Sequence, residues 1–351
     1  MSRLAEQGLA LCQELGDAHG TAMCVLLLSV QAQIAFDYSL ADALRSQSLH
    51  TLKKLGDEFM EINVLLEDSW TSLDKGDYTH TERQLKQYVS ISREAKDLNN
   101  LWTTLWWLAF TAVRRGECGA AIEWLQQSRV AAHESGISNF MARTIELWAV
   151  CEPQQALTLG EEELARYRHA GDDVGIADMQ LALGRIQMDL GQLDAAQVLL
   201  MDCLKLWRRL GMAGNEWGGA GWACLELGHL AAMQGDSPLA VAEQWFKHGL
   251  AHFRDVGMKW GIALVLAGLH DTALHLGQTD RAARCAGAAS GMLRPEELIT
   301  LRPADRLPFE RAIASAQVRC ARDTAFAVAR HAGQGIPLTQ VCQWVLEVEN
   351  T

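Results

Sequence analysis

Apolar residues along this chain recur every three or four positions, in stretches that are separated by short polar breaks carrying glycine or aspartate. This spacing is the stripe of an amphipathic helix, and it lacks the alternation of a half-buried strand. Residues 173–210, DVGIADMQLALGRIQMDLGQLDAAQVLLMDCLKLWRRL, show the unit most clearly. A first helix stops at Gly191, a residue suited to the left-handed conformation beyond a helix end. Asp194 reads as the cap that opens a second helix, and Gly211 closes it. The same punctuation stands at Gly76-Asp77, Gly116-Glu117, Gly235-Asp236 and Gly277. Breaks between helix pairs fall at Gly16, Gly56, Gly136, Gly171, Gly211 and Gly257, with Lys96 in that place once.

The pairs repeat. Ala41, Thr81, Ala121, Ala156, Ala196, Ala240 and Ala282 form a column of small residues with gaps of 40, 40, 35, 40, 44 and 42. A second column, Ser29, Ser69, Ala109, Thr144, Gly184 and Gly228, runs 12 positions ahead of it. A fixed period of this size marks a stacked array, in which each unit buries its apolar face only against its neighbours. Leu4, Leu44, Gln84, Trp124, Leu159, Leu199 and Trp245 share a helix face with Leu15, Leu55, Ala95, Ser135, Ala170, Leu210 and Val256, a face predicted to be buried between units. Residues 2–15 match a second helix with no first helix before it. Their stripe of Leu4, Leu11 and Leu15 is therefore predicted to meet a second copy or an upstream domain. Beyond residue 292 the period stops, and three short helices are expected to cap the array. The predicted fold is all-α: a solenoid coiled as a right-handed superhelix of about seven pairs over 1–292, closed by a helical segment over 293–351.

The small-residue columns and the Leu183-Gly184, Gly191 and Ala196 spacing resemble tetratricopeptide-like repeats. The 40-residue period, the ELGD and KLGD junctions, the GDY turn at 76–78 and the tail from GAASGMLRPEELITL onward are similar to a narrower group. That group is the C-terminal sensor region of MalT-like regulators of the LuxR family, which are signal-transduction ATPases. The resemblance implies a sensory arm that binds a protein, a peptide or an inducer. The ATP-binding motif of such regulators needs a Gly-Lys pair, which is absent here, and their DNA-binding helix-turn-helix has no counterpart in the chain.

Composition narrows the partners. The formal net charge is −12 and no run of lysine and arginine stands out, which argues against direct nucleic-acid binding. No apolar segment is long enough for a membrane span, and nine scattered cysteines without a C-x-x-C pair fit free thiols in a cytoplasmic protein. No cofactor or metal site is expected. His248 and His252 have ligand spacing but lack a completing carboxylate, and His270, Asp271 and His275 are similarly weak. Glu161, Glu162 and Glu163 read as a solvated run near a helix N-terminus, and Gly218, Gly219 and Gly221 as a loosened helix start. No nucleophile-and-base set stands out, so a binding role is expected rather than an enzymatic one.

Twelve tryptophans are many for such a chain. With the second small column as position 8 of each unit, positions 2, 5, 9 and 12 of the first helices should face the concave groove. That register puts Trp70, Trp106, Phe110, Trp148, Arg185, Trp222 and His229 there, with Asn63, Thr103 and Asp178 as polar points and Trp107 turned inward. Aromatic rings of this kind suit a peptide, a helix or a sugar-like ligand. The alternatives are a metabolite sensor whose tryptophans close a pocket and, third, an enzyme that has recruited the repeat scaffold.

Overall fold

The structure, a computed structural model, describes residues 2–34, 37–74, 76–136, 141–211, 219–234, 239–293 and 303–347. These residues form 18 helices and no strand, in two compact units, Met1–Ile137 and Ser138–Thr351. In the first unit α1 (Ser2–Leu15) precedes three pairs: α2 (Ala18–Ile34) with α3 (Tyr38–Leu55), α4 (Glu58–Asp74) with α5 (Tyr78–Glu94), and α6 (Leu98–Arg114) with α7 (Cys118–Ser135). The second unit holds four pairs. These are α8 (Met141–Cys151) with α9 (Pro153–Ala170), α10 (Asp173–Asp189) with α11 (Leu193–Arg209), α12 (Gly219–Met233) with α13 (Leu239–Asp255), and α14 (Lys259–His275) with α15 (Thr279–Met292). The closing helices α16 (Pro303–Cys320), α17 (Thr324–Gln334) and α18 (Leu338–Glu347) pack on α14, α15 and α13 of that unit respectively. This is a tetratricopeptide-like helical repeat.

Local chemistry sets the helix ends. The carboxylates of Asp37, Asp77, Asp97 and Asp172 each accept the amide three residues on, satisfying one of the orphan donors of the first turn. Asp194 does not cap α11. Gln192 holds that place without a side-chain bond, and Asp194 lies in the first turn, where its charge meets the positive end of the helix dipole. The Gly235-Asp236 break lies outside the described residues. Lys96 takes φ of 55°, the left-handed conformation that glycine supplies at the corresponding breaks.

The small-residue column needs one correction. Ala41, Thr81, Ala121, Ala156, Ala196 and Ala282 are each the fourth residue of their second helix and are buried, but Ala240 is exposed. The fourth residue of α13 is Ala242, which is fully buried. The gaps around it become 46 and 40 residues, so the irregularity is confined to the connection between α11 and α12. The expected buried face also shifts. Leu4, Leu15 and Leu55 are exposed, while Leu44, Leu159, Leu199 and Trp245 are half-buried. The fully buried stripe includes the small column itself and the residues four and eleven positions beyond it, such as Leu200 and Trp207, or Phe246 and Phe253.

Glycine makes room for these large side chains. A Cβ on Gly228 or on Gly268 would lie 2.6 Å from the Phe246 ring, and one on Gly221 or Gly261 would lie 2.8 or 2.5 Å from Phe253. Each phenylalanine of α13 is thus held between two glycines 40 residues apart, on α12 and on α14. Gly219 similarly admits Trp207, at 2.4 Å. The glycines of α12 are packing residues inside the helix, which begins at Gly219. Of the acidic run, Glu161 and Glu162 are exposed as expected, but Glu163 is buried, because it stands seven residues beyond Ala156 on the inward face of α9.

Candidate ligand-binding face

In the second unit α10 packs against both α8 and α12, so three first helices lie side by side. Across them runs a ladder of charge. Arg185 of α10 gives Nη1 to Glu146 Oε1 on α8 at 2.7 Å and Nε to Glu226 Oε1 on α12 at 2.7 Å. The second oxygen of Glu226 lies 3.5 Å from His229 Nδ1. The two ion pairs span 39 and 41 residues, one repeat each way. All three partners are largely buried, at 8% side-chain exposure for Arg185, 14% for Glu146 and 9% for Glu226. A charge this far from water needs a partner in good geometry, and removing one member of such a set typically costs about 3–5 kcal/mol.

The carboxyls around the ladder respond differently to the same cation. Burial raises Glu146, and Arg185 and Arg143 only partly offset it. Burial would raise Glu226 as well, but Arg185 and then His229 outweigh it and hold the carboxyl down, to about 2. Asp178, at the start of the same face of α10, is pushed up to about 7, by burial first and by Glu146 second. Asp189 is also raised, by burial and then by Glu226.

An aromatic wall borders the ladder. The Arg185 guanidinium lies 5.2 Å from the Trp222 ring centre, a cation–π distance. Trp222 in turn packs at 4.8 Å on Trp260 and at 5.1 Å edge-on to Phe253. Trp260 and His229 remain half-buried, so the face presents an indole, an imidazole and the Asp178 carboxyl to its surroundings.

The sequence-derived residues divide accordingly. Arg185, Asp178 and His229 come together with Trp222, but Trp222 itself is 6% exposed and belongs to the core, covered by Trp260 and Arg185. Trp148 does not face a groove. It is 1% exposed, and its Nε1 donates to Gln155 Oε1 at 2.9 Å, which turns the ring toward α9. Phe110, at 5% exposure, is also core; Trp106 stacks on it at 5.6 Å and meets Trp107 edge-on at 5.0 Å. Trp106 and Trp107 are both half-buried, and Trp107 packs against the Leu85–Tyr88–Leu105 cluster. Thr103 is half-buried, with its hydroxyl donated to the Asn99 carbonyl at 2.9 Å. The side chains of Asn63 and Trp70 lie outside the described residues. A cleft of about 310 Å³ in the first unit is lined by leucines, alanine and valine with Arg93, Gln126, Gln127 and Glu134, and it holds no tryptophan.

The fixed groove register overlooked Glu146 and Glu226. Glu226 is the only acidic residue in α12, GAGWACLELGHLAAM, and an ionisable group in so apolar a helix demands a partner. Glu146 stands 80 residues earlier, on α8, with Arg185 of α10 between them. His248 is exposed, as expected for a solvated helix face. His270 is fully buried, donating Nδ1 to the Ala282 carbonyl at 2.9 Å.

The structure of BtubC (BKLC) from P. vanneervenii is similar in fold, with TM-score 0.50 and 16% identity over 64% of this chain and 94% of its own. A Rap protein complexed with competence and sporulation factor aligns over 94% of this chain and 87% of its own, at 13% identity and TM-score 0.48. A signal transduction ATPase with numerous domains and a tetratricopeptide repeat sensor, from Pyrococcus horikoshii, aligns over 96% of this chain and 50% of its own, at 13% and 0.46. No family profile and no curated protein matches the chain.

Proposed function

We propose that this chain is a recognition scaffold whose first-helix face in the second unit binds a peptide or protein segment, as the sensory arm of a bacterial transcriptional regulatory system. The observation that carries the reading is the ladder Glu146–Arg185–Glu226–His229, which draws one charged residue from each of three successive repeats onto a single face. Mixed charge beside indole rings suits a partner that offers both polar and aromatic or apolar side chains. The members of the ladder hold one another in place, which supports a binding role by fixing the pattern of charge a partner would meet.

The test is selection of a displayed random peptide library on the intact chain, followed by affinity measurement of the selected peptides. Asp178→Ala, His229→Ala and Trp260→Ala are expected to weaken binding at least tenfold. Val198→Ala, on the exposed outer side of α11, is expected to leave it unchanged. Peptides that bind equally well to all four variants would place recognition elsewhere.

A further inference from the structure

The seam between α1 and α2 carries the same pattern on both sides: GLALC, Gly8 to Cys12, and GTAMC, Gly20 to Cys24. A Cβ on Gly8 would lie 3.1 Å from Cys24 Sγ, and one on Gly20 would lie 2.6 Å from Cys12 Sγ. Each thiol therefore occupies the space a glycine leaves on the facing helix. Cys12 is level with Gly20, and Cys24 is one turn away, level with Gly8. Side chains lean toward their own helix N-terminus, and these helices run antiparallel across the turn at Gly16-Asp17, so the two sulfurs lean toward each other. Burial, the neighbouring Cys24 and Asp17 push the Cys12 thiol up. Both cysteines are half-buried, whereas Cys203, Cys224, Cys285 and Cys342 are sealed in the core.

We propose that Cys12 and Cys24 form a redox modification site, which closes to an intrachain disulfide when the chain meets a hydroperoxide. The reaction balances in two steps. One thiolate attacks the peroxide, an S–O bond forms as the O–O bond breaks, and the cysteine becomes a sulfenic acid while the departing hydroxide or alkoxide takes up the proton the thiol had released and leaves as water or an alcohol. The second thiol then attacks the sulfenic sulfur. The S–S bond forms, the S–O bond breaks, and the departing hydroxide takes up the thiol proton as water. The two cysteines are oxidised by two electrons in total, and the hydroperoxide is reduced. The bond would tie α1 to α2. The site is independent of the ligand-binding face proposed above.

The experiment treats the reduced, intact chain with hydrogen peroxide, blocks remaining thiols by alkylation and maps peptides by mass spectrometry. The expected product joins the Cys12 and Cys24 peptides with loss of two hydrogens, reverses with dithiothreitol, and forms at least tenfold faster than in urea-unfolded chain. Amide exchange in α1 should slow on oxidation. In Cys12→Ser, whose helix content is checked by circular dichroism, Cys24 should gain oxygen without cross-linking. Three results would overturn the proposal: oxygen added to both cysteines of the native chain without a link, a reducible link only between chains, or equal rates in native and unfolded chain.

Discussion

Asp178 is a carboxyl whose charge folding disfavours. Its pKa rises to about 7, chiefly through burial, so the native chain binds this proton more tightly than the unfolded chain does. Stability associated with this group is therefore greatest at acid pH and declines as pH rises toward and past 7. Asp178→Asn removes that loss. At pH 8 the variant should be more stable by about 1–3 kcal/mol, and near pH 4 the difference should vanish. Thermal unfolding at the two pH values is the check, and an equal difference at both would contradict the assignment. Glu226 has the opposite sign: held down to about 2, it contributes stability above the ordinary carboxylate range and loses it as pH falls through its folded value. Single residues were legible in the sequence only where the repeat register stayed true. Arg185 and Asp178 emerged from it; His229 and Trp222 were reached from Gly228, which stands 14 and not 12 positions ahead of Ala242, so that register was two positions out. Trp148 was placed in a groove but is core, because an indole is large enough to reach from a helix edge into the interior.

At the scale of elements, the helix pairs and most of their ends could be read directly, since caps and left-handed breaks are local chemistry. The placing of α13 could not. Its column residue was assigned two positions early, because the long connection after α11 was spread over two repeats when it belongs to one. Phe246 records the true register through its contacts with Gly228 and Gly268. Gly228→Ala and Gly268→Ala each press a methyl into that ring, and each should cost about 1–3 kcal/mol. Urea unfolding of the two variants measures this. Phe246→Leu, introduced into either background, should restore part of the loss; no restoration would show that the ring is not what the added methyl strikes.

The repeat architecture of the whole molecule was legible because a 40-residue period survives wide divergence of the residues between its marks. Its division into two compact units was not, since no composition change marks the boundary. The closing helix α17 is held on α15 by backbone contact: a Cβ on Gly287 would lie 2.0 Å from the Arg330 carbonyl oxygen, and one on Gly333 2.4 Å from that of Arg284. Gly333→Ala should therefore part α15 from α17, and amide exchange in α17 should quicken by at least tenfold while α10 and α11 keep their protection. Uniform acceleration through the unit would show that the seam does not act locally. The ladder has a different kind of consequence. Its sign changes from one repeat to the next, Glu146, Arg185, Glu226. An evolutionary deletion of the single repeat that carries Arg185 would bring two glutamates face to face in a nearly dry interior. In this stretch, lineages can shorten or lengthen the array safely only in steps of two.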